Sequence, residues 1–279
     1  MIKKYKIGKL ILQVEATVCF QETEKITRFY YDGGEPDYNI YVDFVADFAD
    51  NTETPLYETA DRLYFAENGA ECCYYKSHET KDRYYALRKN EGNIIRIRID
   101  EKYRKMLRDD VIFSLSGIEE LIIENNGCIL HSSCVIYKNS AILFMGPCSI
   151  GKSTQAELWE KYTDALIVNG DKILIGNIDG EIHASGIPFS GSSKVCMNLS
   201  APVRAIICLG KGKENSLKRL HAPQSFYSIY KNCYPVPFSK ELTRSLMDVV
   251  SLISDNIPVY EFYCLPDESA VEVLKTELF

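Results

Sequence analysis

The chain has 279 residues, of which 32 are Lys or Arg and 39 are Asp or Glu, so its formal net charge is −7 at pH 7. This acidic balance argues against a nucleic-acid-binding protein, because a surface for RNA or DNA needs clustered cations. Hydrophobic residues make up 46% of the chain and charged residues 25%, which is typical of a globular protein and not of a disordered one.

Residues 1–105 carry the signals of strands and turns. Four runs have the composition or the alternation of strands: 10–14, 39–44, 62–65 and 93–100. In the last of these, isoleucines alternate with arginines, which is the period of a half-solvated strand. Asn68-Gly69 and Glu91-Gly92 predict hairpin connections. We therefore predict an antiparallel, β-rich N-terminal domain over residues 1–105, which could recruit a peptide along an exposed edge strand.

The pattern changes after this region. Residues 106–125 follow the 3.6-residue period of one helix, and Asn126-Gly127 predicts its end. Beyond it, short apolar strands alternate with helices. The predicted strands are 165–168, 172–175, 203–209 and 259–265. The predicted helices are 154–162, 223–233, 240–255 and 267–278. This alternation predicts an α/β domain over residues 106–279.

The most informative segment is 146–153, whose sequence Gly-Pro-Cys-Ser-Ile-Gly-Lys-Ser satisfies the motif G-x-x-x-x-G-K-[ST]. In this motif, glycines let backbone N–H groups converge on phosphate oxygens, the lysine reaches the β- and γ-phosphates, and the serine hydroxyl can ligate Mg²⁺. An apolar strand precedes the segment and a helix is predicted after it, as the motif requires. We therefore predict a nucleotide site at Gly146, Pro147, Cys148, Ser149, Ile150, Gly151, Lys152, Ser153 and Thr154.

Two features flank this loop. Residues 133–144 predict a tight hairpin around Lys138-Asn139, so the strand that feeds the loop would pair antiparallel with its predecessor, unlike in Ras-like proteins. Asp171 follows the apolar run 165–168, and a carboxylate at a strand end can hold Mg²⁺ or accept a hydroxyl proton. The alternative for Asp171 is an ordinary turn residue.

From Leu130-His131 through the hairpin, the phosphate loop and Asp171, the chain resembles the kinase domain of HPr kinase/phosphorylase, a relative of ATP-dependent phosphoenolpyruvate carboxykinase. Segments 186–191, 201–209 and 258–271 are similar to HPr kinase-related proteins from bacterial peptide-modification gene clusters. The resemblance covers residues 128–279. It implies a P-loop kinase domain with a mixed sheet, which uses ATP and Mg²⁺ to phosphorylate a hydroxyl, usually that of a serine.

The resemblance also implies roles for single residues. Lys152 matches the nucleotide-binding lysine, Ser153 matches a metal-binding residue, and His131 matches a histidine before the hairpin. Where HPr kinases have Asp-Asp, this chain has Gly170-Asp171. Asp171 would then polarise the acceptor or hold the metal, with His131 as the second candidate for proton handling.

Other positions depart from the family or stay open. Cys148 and Ser149 stand where the family commonly has Ser-Gly, and no segment matches the one that supplies a metal-binding Glu. Arg204 and Lys194 are candidates to neutralise charge on the transferred phosphoryl group, and their alternatives are a strand arginine and a solvated lysine.

The leading hypothesis is an ATP- and Mg²⁺-dependent kinase that acts on a peptide or protein hydroxyl, with serine in a ribosomal precursor peptide as the preferred acceptor. The alternatives are a nucleotide-binding regulatory protein with weakened catalysis, which Gly170 favours, and a kinase of small metabolites. The chain contains no apolar run of the ~20 residues that span a bilayer, and Lys9 interrupts its apolar start. We expect a cytoplasmic protein without membrane partners, and a homo-oligomer remains an open alternative.

The ten cysteines form no C-x-x-C pair. Several lie in apolar runs, as Cys208 does. We therefore expect them to be reduced and to serve in packing.

Overall fold

The computed structural model describes residues 1–46, 48, 54–68, 70–77, 83–191, 195–236 and 238–279. The chain divides into two compact units, Met1–Ile118 and Glu119–Phe279, whereas the sequence suggested a boundary near residue 105. Each unit contains a mixed β-sheet, so the fold is of the mixed α/β type. Within the described ranges, no helix combines the length and the apolar character needed to cross a membrane.

The first unit is built on one eight-stranded sheet with the order β1-β2-β3-β8-β7-β6-β5-β4. Its strands are β1 (Ile2–Ile7), β2 (Leu10–Ala16), β3 (Tyr38–Val45), β4 (Tyr57–Glu58), β5 (Arg62–Glu67), β6 (Ala70–Lys76), β7 (Tyr84–Glu91) and β8 (Ile94–Asp100). The alternation predicted for β8 is confirmed, since its isoleucines Ile95, Ile97 and Ile99 are buried while Arg96 and Arg98 are exposed.

The prediction of a purely antiparallel sheet is wrong for two strand pairs. Strand β3 runs parallel to β2 on one side and parallel to β8 on the other. The physical reason is the long connection between β2 and β3, which contains helix α1 (Glu24–Thr27) and lets the chain return to the starting edge before β3 begins. The two predicted hairpins are formed, with β5–β6 turning at Asn68 and β7–β8 at Gly92.

The edges of this sheet offer little room for an added strand. On its outer side, β1 is bridged by the segment around Tyr30, where the N–H of Tyr31 donates to the carbonyl of Lys4. The opposite edge strand, β4, contains two residues. Among the described residues, the edge-strand recruitment of a peptide that we expected therefore has no long free edge available in this unit.

The single helix predicted for residues 106–125 is wrong. The structure has a 3₁₀ helix (Glu101–Met106), α2 (Asp109–Leu115) and α3 (Ile118–Glu124). Gly117 interrupts the pattern with φ +71°, a left-handed conformation that ends helices and favours glycine. Ser116 precedes it and its hydroxyl donates to the carbonyl of Phe113, which competes with continuation of the helix.

The second unit contains the remaining elements: β9 (Gly127–Tyr137), β10 (Ser140–Met145), α4 (Lys152–Tyr162), β11 (Leu166–Asn169), β12 (Lys172–Ile178), β13 (Glu181–Ser185), β14 (Ser200–Lys211), β15 (Ser216–Arg219), α5 (Ala222–Tyr230), α6 (Lys240–Asn256), β16 (Val259–Cys264) and α7 (Glu268–Leu278). The sheet order is β10-β9-β12-β13-β14-β16-β15, and β10 also pairs in parallel with β14. One face of the sheet packs on α4 and α7, and the other packs on α5 and α6.

Strand β9 organises this unit because it is shared by three partners. Its second half pairs with β10 in the predicted hairpin, which is confirmed by the pair Tyr137 and Ser140. Along its other edge, β11 and β12 follow each other, with Asn169 opposite Cys134 and Lys172 opposite His131. The turn between β11 and β12 therefore lies beside the middle of β9. On its opposite edge, β9 pairs with β10, the strand that enters the loop.

Candidate functional site

The loop between β10 and α4 contains two glycines with positive φ. Gly146 and Gly151 have φ values of +146° and +117°, which favour glycine. A Cβ atom on Gly146 would lie 3.3 Å from the carbonyl oxygen of Leu209, so the loop passes close to β14. Helix α4 begins directly after Gly151, and its first N–H groups and the positive end of its dipole can therefore face an anion in the loop.

Lys152 is the first residue of α4, and its side chain lies against the loop. The residue is 8% exposed, and its Nζ donates to the carbonyl oxygens of Gly146 and Pro147 at 3.0 and 3.2 Å. Burial lowers its pKa, while Cys148 and Asp171 oppose that shift. Among the described residues, no carboxylate lies within ion-pair distance of Lys152. Its positive charge therefore remains available to a phosphate group.

Two hydrogen bonds join the start of α4 to the strands beside it. The hydroxyl of Ser133 donates to the carbonyl of Lys152 at 2.7 Å, and the hydroxyl of Ser153 donates to the carbonyl of Gly170 at 3.4 Å. Ser153 and the turn that carries Asp171, which are separate in the sequence, are therefore neighbours.

These two residues are suited to one kind of metal site. The part of the chain that the structure describes contains no cluster of three or more His, Cys, Asp or Glu side chains that could hold a metal by themselves. Mg²⁺ commonly binds through one or two carboxylates and takes its other ligands from phosphates and water. A hydroxyl at Ser153 and a carboxylate at Asp171 fit that donor set.

His131 lies beside Asp171, with 3.3 Å between its Nδ1 and Oδ1 of the carboxylate. Nδ1 is buried and has no hydrogen-bond partner among the residues that the structure describes. Burial, followed by the charge of Lys152, lowers the pKa of His131, while Asp171 raises it. The site therefore pairs a carboxylate with an imidazole that is neutral at physiological pH.

Asn169 holds this turn in place, and sequence reasoning missed it. Its fully buried carboxamide accepts hydrogen bonds from the backbone N–H groups of Asp171 and Lys172 at 2.9 and 3.1 Å. Its Nδ2 donates to the carbonyls of Phe189 at 2.7 Å and Ile187 at 3.4 Å. The signal in the sequence was an Asn that closes an apolar strand directly before Gly-Asp, which is typical of an Asx turn.

Gly191 also passes close to Asp171. A Cβ atom at position 191 would lie 2.7 Å from Cγ of the Asp171 carboxyl group. No real Cβ atom approaches another carbon so closely. A side chain at position 191 would therefore displace the Asp171 carboxylate.

Lys172 and Tyr234 form a second feature that sequence reasoning missed. Nζ of Lys172 lies 4.4 Å from the centroid of the Tyr234 ring. Burial, followed by the charges of Asp171 and Glu119, raises the pKa of Tyr234 to about 12. Tyr234 was not recognisable in advance, because the bridge between Leu130 and Cys233 brings its segment to β9 from a distant part of the chain.

One of the two predicted cations, Arg204, does not join this cluster. Arg204 lies on β14, where its Nε donates to the carbonyl of Leu278 at 2.7 Å and its guanidinium lies 5.7 Å from the Phe279 ring. Met145, the last residue before the loop, pairs with Cys208, about 13 Å along β14 from Arg204. Arg204 thus caps the end of α7, where a cation complements the helix dipole, and we do not retain it as a catalytic residue. Lys194 lies outside the described residues.

The similarity of the chain to known proteins is limited to solved structures. No protein-family model and no curated protein matches the chain. Among solved structures, the HPr(Ser) kinase/phosphatase from Coxiella burnetii is similar at 14% sequence identity with a TM-score of 0.32, over 53% of this chain and 94% of that chain. At so low a TM-score, that protein's activity is not assigned to this chain.

Proposed function

We propose that this protein is an ATP- and Mg²⁺-dependent kinase that transfers the γ-phosphoryl group to a hydroxyl of a peptide or protein, with serine as the expected acceptor residue. The observation that carries this proposal is the meeting of two parts of the sequence. Lys152 and Ser153 begin the helix after the loop, and the hydroxyl of Ser153 contacts the turn that carries Asp171. The resemblance of residues 128–279 to HPr kinases supports the same reaction.

The phosphate loop and the start of α4 form the part of the proposed site that would bind the nucleotide. When bound, ATP would supply the phosphoryl group and Mg²⁺ would neutralise charge on its phosphate oxygens. Lys152 would attract the phosphates with an ammonium group that no carboxylate of the described residues neutralises. The N-terminus of α4 adds backbone donors, and Ser153 with Asp171 offers oxygen ligands suited to Mg²⁺.

The acceptor side follows from Asp171 and His131. The acceptor oxygen would form a bond to the γ-phosphorus while the bond between that phosphorus and the β,γ-bridging oxygen breaks and ADP leaves. The hydroxyl proton would pass to the carboxylate of Asp171. His131 lies 3.3 Å from that carboxylate and is neutral, so it can accept the proton in turn.

Transfer of label from γ-labelled ATP tests the proposal directly. The protein is incubated with Mg²⁺ and serine-containing peptides, and phosphopeptides are identified by mass spectrometry. Lys152→Ala should abolish transfer, and Asp171→Asn should lower it at least ~100-fold, because the hydroxyl would lose its proton acceptor and Mg²⁺ one of its oxygen ligands. Lys161→Ala is the matched control, since Lys161 is an exposed lysine in the last turn of the same helix. Transfer that survives Lys152→Ala would contradict the proposal.

Gly170 favours a second candidate, a nucleotide-binding regulatory protein with little turnover. HPr kinases carry a carboxylate at the position of Gly170, and this site keeps only the one that follows. Calorimetry separates the candidates. Heat from ATP with no transfer to any peptide, protein or small hydroxyl compound would favour the regulator, and no heat from either ATP or GTP with Mg²⁺ would contradict both.

A further inference from the structure

Two residues beside Asp171, Lys172 and Tyr234, have no role in the proposed nucleotide site. Three consecutive residues of the turn have different neighbours. The Gly170 carbonyl accepts a hydrogen bond from Ser153, and the Asp171 carboxylate lies beside His131. The Lys172 ammonium lies over the Tyr234 ring. An acceptor whose hydroxyl reaches Asp171 must extend over one of these neighbours. Ser153 belongs to the loop helix, and His131 is assigned to accept the proton from Asp171, so the region of Lys172 and Tyr234 is the one left for the rest of the acceptor.

His131 and Lys172 lie on the same face of the sheet. They are direct partners in the antiparallel pairing of β9 with β12, and side chains of directly opposed residues point to the same side. A molecule that contacts His131 therefore comes within reach of the Lys172 ammonium.

The Lys172 ammonium has an aromatic partner and no acidic one among the residues that the structure describes. It lies 4.4 Å from the centroid of the Tyr234 ring, and it takes part in no ion pair there. A cation held over a ring keeps most of its capacity to bind an anion. Its position is thus restricted while its charge is not neutralised.

Glu119 is the carboxylate, besides Asp171, whose charge acts on Tyr234. Its Oε2 atom is buried and has no hydrogen-bond partner within the described ranges. Among the described residues, Glu119 forms no salt bridge to Lys172. The phenol of Tyr234 keeps its proton well above neutral pH, so it can donate a hydrogen bond to an oxygen atom of a bound anion.

We propose that Lys172 and Tyr234 form an acceptor subsite for an anionic group, so that the preferred acceptor carries a carboxylate close to the hydroxyl that is phosphorylated. This inference rests on the proposed kinase function. It narrows the substrate class to hydroxyl residues with an acidic neighbour, or to a free hydroxy acid such as serine, whose own carboxylate would occupy the same place.

Matched peptides test the subsite. Acetylated and amidated peptides carry one Ser flanked by Glu, by Gln or by Lys, and free L-serine is a separate acceptor. We expect kcat/KM for the Glu peptide to exceed that for the Gln peptide by about tenfold, as one charge-assisted contact provides. Lys172→Met should remove this preference, Lys172→Arg should retain it, and Lys172→Glu should shift it to the Lys peptide. Lys161→Met is the control and should behave as the native protein does.

The outcomes separate the subsite from the kinase function. Transfer without a preference for Glu, or a preference that survives Lys172→Met, would overturn the subsite and leave the kinase intact. Where no peptide is phosphorylated, the affinities of labelled Glu and Gln peptides are measured by fluorescence anisotropy in the presence of a non-hydrolysable ATP analogue. Tighter binding of the Glu peptide that is lost in Lys172→Met would support the subsite while the kinase proposal fails, and equal binding of both peptides would overturn the subsite. Transfer to L-serine but not to the Glu peptide would assign the subsite to a small hydroxy acid.

Discussion

The hydroxyl of Ser133 in strand β9 donates a 2.7 Å hydrogen bond to the carbonyl oxygen of Lys152, the first residue of α4. This bond joins the middle of the sheet to the helix that follows the phosphate loop. The adjacent Ser132 is equally buried, but its Oγ has no hydrogen-bond partner in the part of the chain that the structure describes. The two serines therefore differ in partner and not in burial.

Replacing each serine by alanine should have different effects on the free energy of unfolding. Ser133→Ala should lower the free energy of unfolding by about 1–2 kcal/mol, because a hydrogen bond is lost and the Lys152 carbonyl loses a partner. Ser132→Ala should cost nothing or stabilise slightly, because it removes a buried hydroxyl that has no partner. Urea denaturation of the two variants measures the difference. Equal losses would mean that the bond to Lys152 contributes nothing.

Alkylation of Cys148 should report nucleotide binding. Cys148 lies in the loop and is exposed, and Cys19 is an exposed cysteine far from it in the sequence. We expect saturating ATP with Mg²⁺ to slow the reaction of Cys148 with N-ethylmaleimide at least ~tenfold, because bound phosphate would cover the loop. The rate at Cys19 should stay constant. Peptide mapping by mass spectrometry measures both rates in one sample, and an unchanged Cys148 rate would contradict binding at the loop.

The sequence predicted the parts of the site that are contiguous in the chain. The motif at 146–153, the hairpin before it and the strand before Asp171 are local patterns, and the structure contains the corresponding strand, loop and helix. Local periodicity also identified the helices that follow the loop. What it could not predict is which distant segments meet. Lys172 and Tyr234 meet only because residues next to Cys233 bridge to β9.

The two errors have different physical causes. A period of 3.6 residues across 106–125 did not reveal the break at Gly117, since a single left-handed residue ends a helix without changing the apolar pattern. Arg204 has the charge expected of a catalytic cation, but the register of β10 with β14 determines its distance from the loop. Strands β10 and β14 are far apart in the chain, so their pairing could not be predicted from either strand alone.

The pKa of His131 should respond in opposite directions to the loss of its two charged neighbours. Burial and the charge of Lys152 lower this pKa from its ordinary value of 6.5, and Asp171 opposes them. Lys152→Met should therefore raise the pKa, and Asp171→Asn should lower it further. Proton NMR titration of the four histidines, with His131→Gln for assignment, measures the shifts. Shifts of the same sign would refute this arrangement of charges.

The same lowered pKa affects folding stability. Below pH 6.5 the unfolded chain binds a proton at this imidazole more readily than the folded protein does. The contribution of His131 to stability is therefore fully present above pH 6.5 and decreases as the pH falls toward the pKa of the folded state. His131→Gln should flatten that part of the pH dependence of the melting temperature.

Asn169 should act on catalysis through Asp171. Asn169→Ala removes the acceptor for the backbone N–H groups of Asp171 and Lys172, so the turn loses its fixed position. We expect kcat to fall at least ~tenfold, as small displacements of a reacting group do, with little change in nucleotide affinity. The pKa of His131 should fall as well, because the Asp171 carboxylate that raises it would move away.

Asn177 provides the matched control for Asn169. It lies near the other end of β12, where its Oδ1 accepts a 2.9 Å hydrogen bond from the N–H of Gly180 in the turn before β13. Asn177→Ala should lower stability through that lost turn contact while kcat and the His131 pKa stay unchanged. Equal effects of the two variants on kcat would mean that Asn169 acts through stability alone, whereas a change confined to Asn169→Ala would assign the position of the Asp171 carboxylate to its carboxamide.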